Sequence, residues 1–111
     1  MKSTPTLIPL QIRNPEQLAV MYMPFVRNGG IFIPTPKLPR IGDEIAFLLR
    51  LPGRPQPLKV LGRVIWINPP GGSFRTGFGV QFDEQDKGET KRAIEEILGP
   101  LLNEDRPKLY F

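Results

Sequence analysis

The chain has no cysteine and no histidine among its 111 residues. Disulfides, thiolate chemistry and the usual zinc sites are therefore excluded. Serine is almost absent too, with only Ser3 and Ser73, so no common nucleophile-and-base arrangement can be assembled. The adjacent carboxylates Asp43-Glu44 and Asp83-Glu84 sit at a strand edge and a helix start, where capping explains them better than acid–base work. No Gly-x-x-x-x-Gly-Lys-Ser/Thr phosphate loop occurs. Gly77-Phe-Gly79 begins a dinucleotide fingerprint without its third glycine and inside a strand pattern. The expectation is a binding module and not an enzyme, with no cofactor and no metal. No apolar run is long enough to span a bilayer, and residues 1–10 lack a signal peptide's continuous apolar core. Cytoplasmic residence without membrane insertion is expected.

What is abundant is proline, 14, and glycine, 11, placed between apolar runs without a period. That distribution fits short strands joined by tight turns. Charge is uneven. Residues 1–82 carry ten Lys/Arg and three Asp/Glu, a net +7; residues 83–111 carry five and eight, a net −3. A basic body invites an anionic partner, but its charges are scattered singly. The strand aromatics share inward faces with aliphatics instead of interleaving with Lys/Arg, so a nucleic-acid barrel is the alternative and no nucleic acid is expected.

Residues 1–6 read as a loose end. Leu7–Ile12 predicts an edge strand, because Pro9 lacks a donor. Leu18–Val26 predicts an extended segment, or else a helical turn from Pro15 to Met21. The Gly29-Gly30 turn leads to the strand Ile31–Ile33. Glu44–Leu51 alternates best, with Ile45, Phe47, Leu49 and Leu51 on one face. Leu58–Ile67 returns, with Val64 and Trp66 inward and Gly62 marking a bend or bulge. Phe74–Phe82 is the last strand, with Phe74 inward and Gly77 and Gly79 outward. From Asp83 the apolar period becomes helical through Ile94, Ile97, Leu98, Leu101 and Leu102. The whole predicts one domain over 1–111: an antiparallel barrel over about 7–82, a helix over about 84–102, and a tail over 103–111.

Three stretches in order, Gly42-Asp-Glu-Ile-Ala-Phe-Leu-Leu-Arg-Leu-Pro52, Gly62-Arg-Val-Ile-Trp66 and Gly77-Phe-Gly-Val-Gln-Phe82, resemble the core of the PilZ domain. The resemblance covers roughly residues 18–105 and implies a six-stranded antiparallel β-barrel with a C-terminal helix. Typical members are cyclic di-GMP receptors with an Arg-x-x-x-Arg motif and an Asp/Asn-x-Ser-x-x-Gly motif. Arginine forks suit guanine edges and phosphates, and the short polar pair fixes the base. Here Gly30 matches the final glycine, Phe25 stands at the Asp/Asn position and Arg27 at the Ser position. Arg13 is followed four places on by Gln17, and Arg50-Leu-Pro-Gly-Arg54 has the spacing but lies across a hairpin turn. Direct cyclic di-GMP binding is therefore not expected; a receptor is the alternative.

Met23-Pro-Phe-Val26, the double glycine and Ile31-Phe-Ile-Pro-Thr-Pro-Lys37 are similar to the founding branch, the type IV pilus assembly proteins, which lack both motifs. The resemblance implies a cytoplasmic adaptor in pilus biogenesis and twitching motility. Its implied partners are a pilus-extension ATPase of the PilB type and a cyclic di-GMP-binding EAL-domain regulator of the FimX type. Tyr22, Met23 and Phe25 are candidates for an aromatic protein anchor or for core packing. Phe32 either extends that patch or packs inward. Leu109, Tyr110 and Phe111 are a second candidate contact or a disordered end.

Overall fold

The elements in chain order are β1 (Leu7–Gln11), α1 (Pro15–Met21), β2 (Gly30–Pro34), β3 (Glu44–Arg50), β4 (Leu58–Asn68), β5 (Gly77–Phe82) and α2 (Glu89–Leu98). This computed structural model describes residues 7–105 and 107–111; the expected loose end over 1–6 lies outside them. The strands form one curled, open sheet in the order β1-β3-β4-β5-β2. The three inner pairings are antiparallel, whereas β1 runs parallel to β3, with Leu7 opposite Ala46 and Gln11 opposite Arg50.

The six-stranded, wholly antiparallel barrel is thus corrected: the described residues form five strands and one parallel pair. Of the two readings of Leu18–Val26, the helical turn from Pro15 to Met21 is the one formed, as α1, and its start explains why. Asn14 Oδ1 accepts from the Gln17 amide at 2.8 Å, and Gln17 Oε1 accepts from the Arg13 amide at 2.9 Å. The Gln17 amide, which a short helix would leave unmet, is satisfied, the preceding residue Arg13 is tied to the first turn, and Pro15 opens that turn. Leu18, Ala19 and Met21 then face the core. Only Tyr22 remains strand-like, in a single bridge to Ile31. With α1 and β2 between β1 and β3 in the chain, the crossover that a parallel pair requires is available.

Phe47 and Leu49 of β3, with Leu51 just past it, are buried in the main core with Val60 and Val64 of β4, Ile31 and Ile33 of β2, and Val80 of β5. Ile45 is only partly buried, and Ala46 on the other face is buried too. Leu18 and Met21 of α1 and Ala93, Ile94 and Leu98 of α2 close that face. The helix expected over about 84–102 is three pieces, a 3-10 turn at Glu84–Asp86, α2, and a 3-10 turn at Gly99–Asn103. Lys87 and Gly88 both take positive φ, 54° and 77°, which interrupts the first junction. Asp83 caps the first turn, and Asp86 accepts from the Gly88 amide at 2.8 Å.

Two expectations on the last strands are also corrected. Strand β5 starts at Gly77, opposite Asn68; β4 ends there before Pro69-Pro70, so Phe74 has no strand opposite and is exposed. The bulge falls between Val64 and Trp66, since Val64 is opposite Val80 and Trp66 opposite Gly79. That extra residue turns Trp66 away from the face of Val64. Gly62 marks a close approach: a Cβ there would lie 2.4 Å from Val80 Cγ1 and 2.5 Å from the Gln81 carbonyl oxygen. Backbone cannot yield as a side chain can. Gly62→Ala is predicted to lose about 1–3 kcal/mol, whereas Gly72→Ala, whose nearest neighbour would be 3.6 Å away, should stay within about 0.5 kcal/mol. Urea midpoints for the two variants check the contrast.

Candidate functional site

The second face of the sheet is not solvent. Gly77 and Gly79, expected outward, are both buried because aromatic and sulfur-bearing side chains lie flat on them. A Cβ on Gly77 would sit 2.6 Å from the Phe32 ring, and one on Gly79 2.8 Å from Met23 Sδ. Phe32, Met23, Val26 and Tyr110 form a separate buried cluster, with Ile65, Trp66 and Leu109 packed against it.

Four polar contacts hold the tail there. Tyr110 Oη donates to the Tyr22 carbonyl at 2.7 Å, and Asn68 Nδ2 donates to the Tyr110 carbonyl at 3.0 Å. The Leu109 amide donates to the Val20 carbonyl at 3.0 Å, and Lys108 Nζ to the Ala19 carbonyl at 3.0 Å. Asn68 is itself oriented by Trp66 Nε1, which donates to its Oδ1 at 2.9 Å. The tail is therefore part of the fold and not a disordered end.

On this floor lies an aromatic surface. Phe25 and Phe111 are each 55% exposed, and Trp66 is half-buried between them. Ring centroids are 6.1 Å apart for Phe25–Trp66, 5.9 Å for Phe25–Phe111, 6.2 Å for Trp66–Phe111 and 4.8 Å for Tyr110–Phe111. Such tilted and edge-on pairs add about 0.5–1.5 kcal/mol each beyond burial, which fixes the rings before any partner arrives. Contiguous exposed aromatic area of this kind is what protein interfaces use as anchors.

Of the residues singled out in the sequence, Phe25 and Phe111 have free surface and Leu109 is half-buried. Tyr22, Met23, Phe32 and Tyr110 are 0–1% exposed, so they support the patch and cannot be touched directly. Tyr22 as a surface anchor is corrected for a physical reason: its ring joins the main core, and its hydroxyl donates to Glu95 Oε2 of α2 at 2.7 Å. Trp66, expected inward with Val64, and Asn68 were not singled out for this site by the sequence, and both belong to it. The one available signal was the unbroken apolar run Ile65-Trp66-Ile67, which no simple alternation accommodates.

Of the positions matched to the ligand motif, Phe25 and Arg27 lie in the turn that leads into β2, and Gly30 begins that strand. Phe25 is in the patch. Arg27 is exposed, and its carbonyl accepts from Gln81 Nε2 at 2.8 Å. Asn28, at φ 69°, donates from Nδ2 to the carbonyls of Phe82 and Asp83 at 2.9 and 2.8 Å, tying the turn to the end of β5. Among the described residues no group of three or more acidic side chains is placed to hold a metal, and no helix is long and apolar enough to cross a membrane.

A curled β-sheet capped by a C-terminal helix, with a preformed aromatic surface, defines a small binding domain. The chain belongs to the PilZ domain family, whose model matches residues 4–99. That membership makes it a domain of the cyclic di-GMP signalling class, a group of receptors and adaptors that are generally non-catalytic. No curated protein matches the sequence.

Burial pushes the Tyr110 hydroxyl up to about 12. Burial, and then the Glu95 carboxylate, also raise Tyr22 far above the ordinary value. Glu95 is itself pushed up by burial, but the hydrogen bonds from Lys91 and Tyr22 outweigh this and hold it below the usual carboxylate value.

Both tyrosines should stay protonated while the protein is folded. Stability is complete below the ordinary tyrosine value of 10.0 and falls as pH rises through and beyond about 12. Phenolate absorbance should therefore appear together with loss of near-ultraviolet circular dichroism and not before it. Glu95 acts with the opposite sign, stabilising above 4.5 and losing that contribution as pH falls through its lowered folded value. Tyr22→Phe should raise the Glu95 value and cost about 0.5–1.5 kcal/mol; carboxyl NMR titration of Glu95 reads the first effect and urea unfolding the second.

Proposed function

We propose that the chain is a non-catalytic cytoplasmic adaptor in type IV pilus biogenesis and twitching motility. It docks a pilus-extension ATPase of the PilB type and a cyclic di-GMP-binding EAL-domain regulator of the FimX type, and does not hold the messenger itself. The observation that carries this reading is Phe25. Where a messenger receptor of the family would carry Asp or Asn, a half-exposed ring lies 5.7 Å from Tyr110 and 6.1 Å from Trp66. A ring at that position offers no acceptor for a guanine edge but does offer apolar area to a protein. Arg27, in place of the hydroxyl, changes the second polar position as well. Family membership supports a role connected with cyclic di-GMP, and likeness to the pilus-assembly branch supports the two partners. The proposal treats residues 1–111 as one domain.

Phe25→Ala and Phe111→Ala remove exposed rings and leave the core intact, so both variants should fold with the circular dichroism of the parent. If the patch is the docking surface, the pair of changes should weaken capture of the ATPase or the regulator by about thirtyfold or more, the scale of a lost hot spot of about 2 kcal/mol. Undiminished capture of both proteins removes the patch from the mechanism. Isothermal titration of the parent with cyclic di-GMP should give no saturable heat, and tight binding would establish a receptor instead.

A further inference from the structure

Arg13, Arg50 and Arg54 are 37 or more residues apart at their first step, yet they line one cleft at the β1–β3 edge. Arg13 follows β1, Arg50 ends β3, and Arg54 lies in the turn between β3 and β4. The Ile12 amide donates to the Arg50 carbonyl at 2.9 Å, and the Arg54 amide to the Leu51 carbonyl at 3.3 Å. With Pro52 and Pro55 flanking the turn, the backbone that carries the three guanidinium groups is fixed. No acidic residue lines the cleft, and among the described residues none of the three arginines is in an ion pair. Three like charges gathered without a counter-charge repel one another and favour an anion between them.

The cleft, about 320 Å³, is open to solvent. Its lining has no aromatic residue, so a nucleobase would find nothing to stack on. An enclosed small-molecule pocket would bury most of its ligand, which an open cleft does not. Guanidinium forks pair side by side with carboxylates, and an extended chain can lay several carboxylates across an open groove. We infer that Arg13, Arg50 and Arg54 form a docking site for an acidic peptide segment of a partner protein. The site lies at the opposite end of the strand order from β2 and β5, which carry the floor of the aromatic patch, and it stands whether or not that patch binds protein.

The test is an NMR titration of the full chain, labelled at amide and arginine Nε positions, with hexaglutamate, inorganic pyrophosphate and a short DNA duplex in parallel. Hexaglutamate should shift signals of Arg13, Arg50, Gly53 and Arg54, and the shifts should shrink as salt is added. Arg50→Glu and Arg54→Glu, both exposed positions whose backbone contacts survive substitution, should each weaken the peptide by about tenfold or more. Absence of localised shifts, or shifts that persist in both variants, overturns the site. Tighter binding of pyrophosphate or of the duplex than of the peptide overturns the assignment to an acidic peptide.

Discussion

Tyr22 is where the two buried faces of the sheet are joined. Its ring belongs to the main core, its hydroxyl donates to Glu95 on α2, and its amide closes α1 by donating to the Leu18 carbonyl at 2.9 Å. Its own carbonyl accepts the Tyr110 hydroxyl that anchors the tail on the other face. Each of these bonds is worth only about 0.5–1.5 kcal/mol net. Their position matters more than their sum. Tyr110 is 1% exposed, so without the Tyr22 carbonyl its hydroxyl would be a buried donor with no acceptor. Phe25 and Phe111 rest on the Tyr110 ring, and the exposed patch therefore depends on a residue that itself reaches no solvent.

The parts of this fold that the sequence discloses are those set by one local period. Glu44–Arg50 is flanked by turn residues, and its alternation places Phe47 and Leu49 in the core, although Ala46 on the other face is buried as well. The amphipathic stretch around Ile94 is equally plain. What stayed hidden is decided by contacts far apart in the chain. Leu18–Val26 is the exception, open between strand and a helical turn over Pro15–Met21, and there the deciding bonds, Arg13–Gln17 and Asn14–Gln17, are local. The bulge that redirects Trp66 exists because Gly79 and Val80 on the neighbouring strand set the register. Leu109–Phe111 could be read as a loose end because its acceptors, Val20 and Tyr22, lie 88 or more residues earlier. The aromatic residues of the site were visible as types; which of them face solvent was not, since that follows from the tail.

Gly30 shows how a residue can match a ligand motif for reasons unrelated to a ligand. A Cβ there would meet the Val80 carbonyl oxygen at 2.8 Å and Val26 Cβ at 3.3 Å. Pairing β2 with β5 in this register requires glycine whatever the turn binds. The same holds for Asn28, whose left-handed conformation and two bonds to the carbonyls of Phe82 and Asp83 shape the loop from within. These two residues are explained by architecture. Phe25 and Arg27 are under no such backbone constraint, because both side chains are exposed; Phe25 is held instead by its neighbouring rings.

The consequence for chemistry runs in one direction. A carboxylate at position 25 would lie among the rings of Trp66, Tyr110 and Phe111, whose faces carry partial negative charge and which displace water that would otherwise solvate it. Residue 25 is more than half exposed, so a charge there would keep part of its water and the rings would disfavour it only in part. With the tail docked, the rings around residue 25 therefore favour an aromatic side chain there. The docked tail and the ring at position 25 are two parts of one packing arrangement, since Phe25 stands 5.7 Å from Tyr110 and 5.9 Å from Phe111.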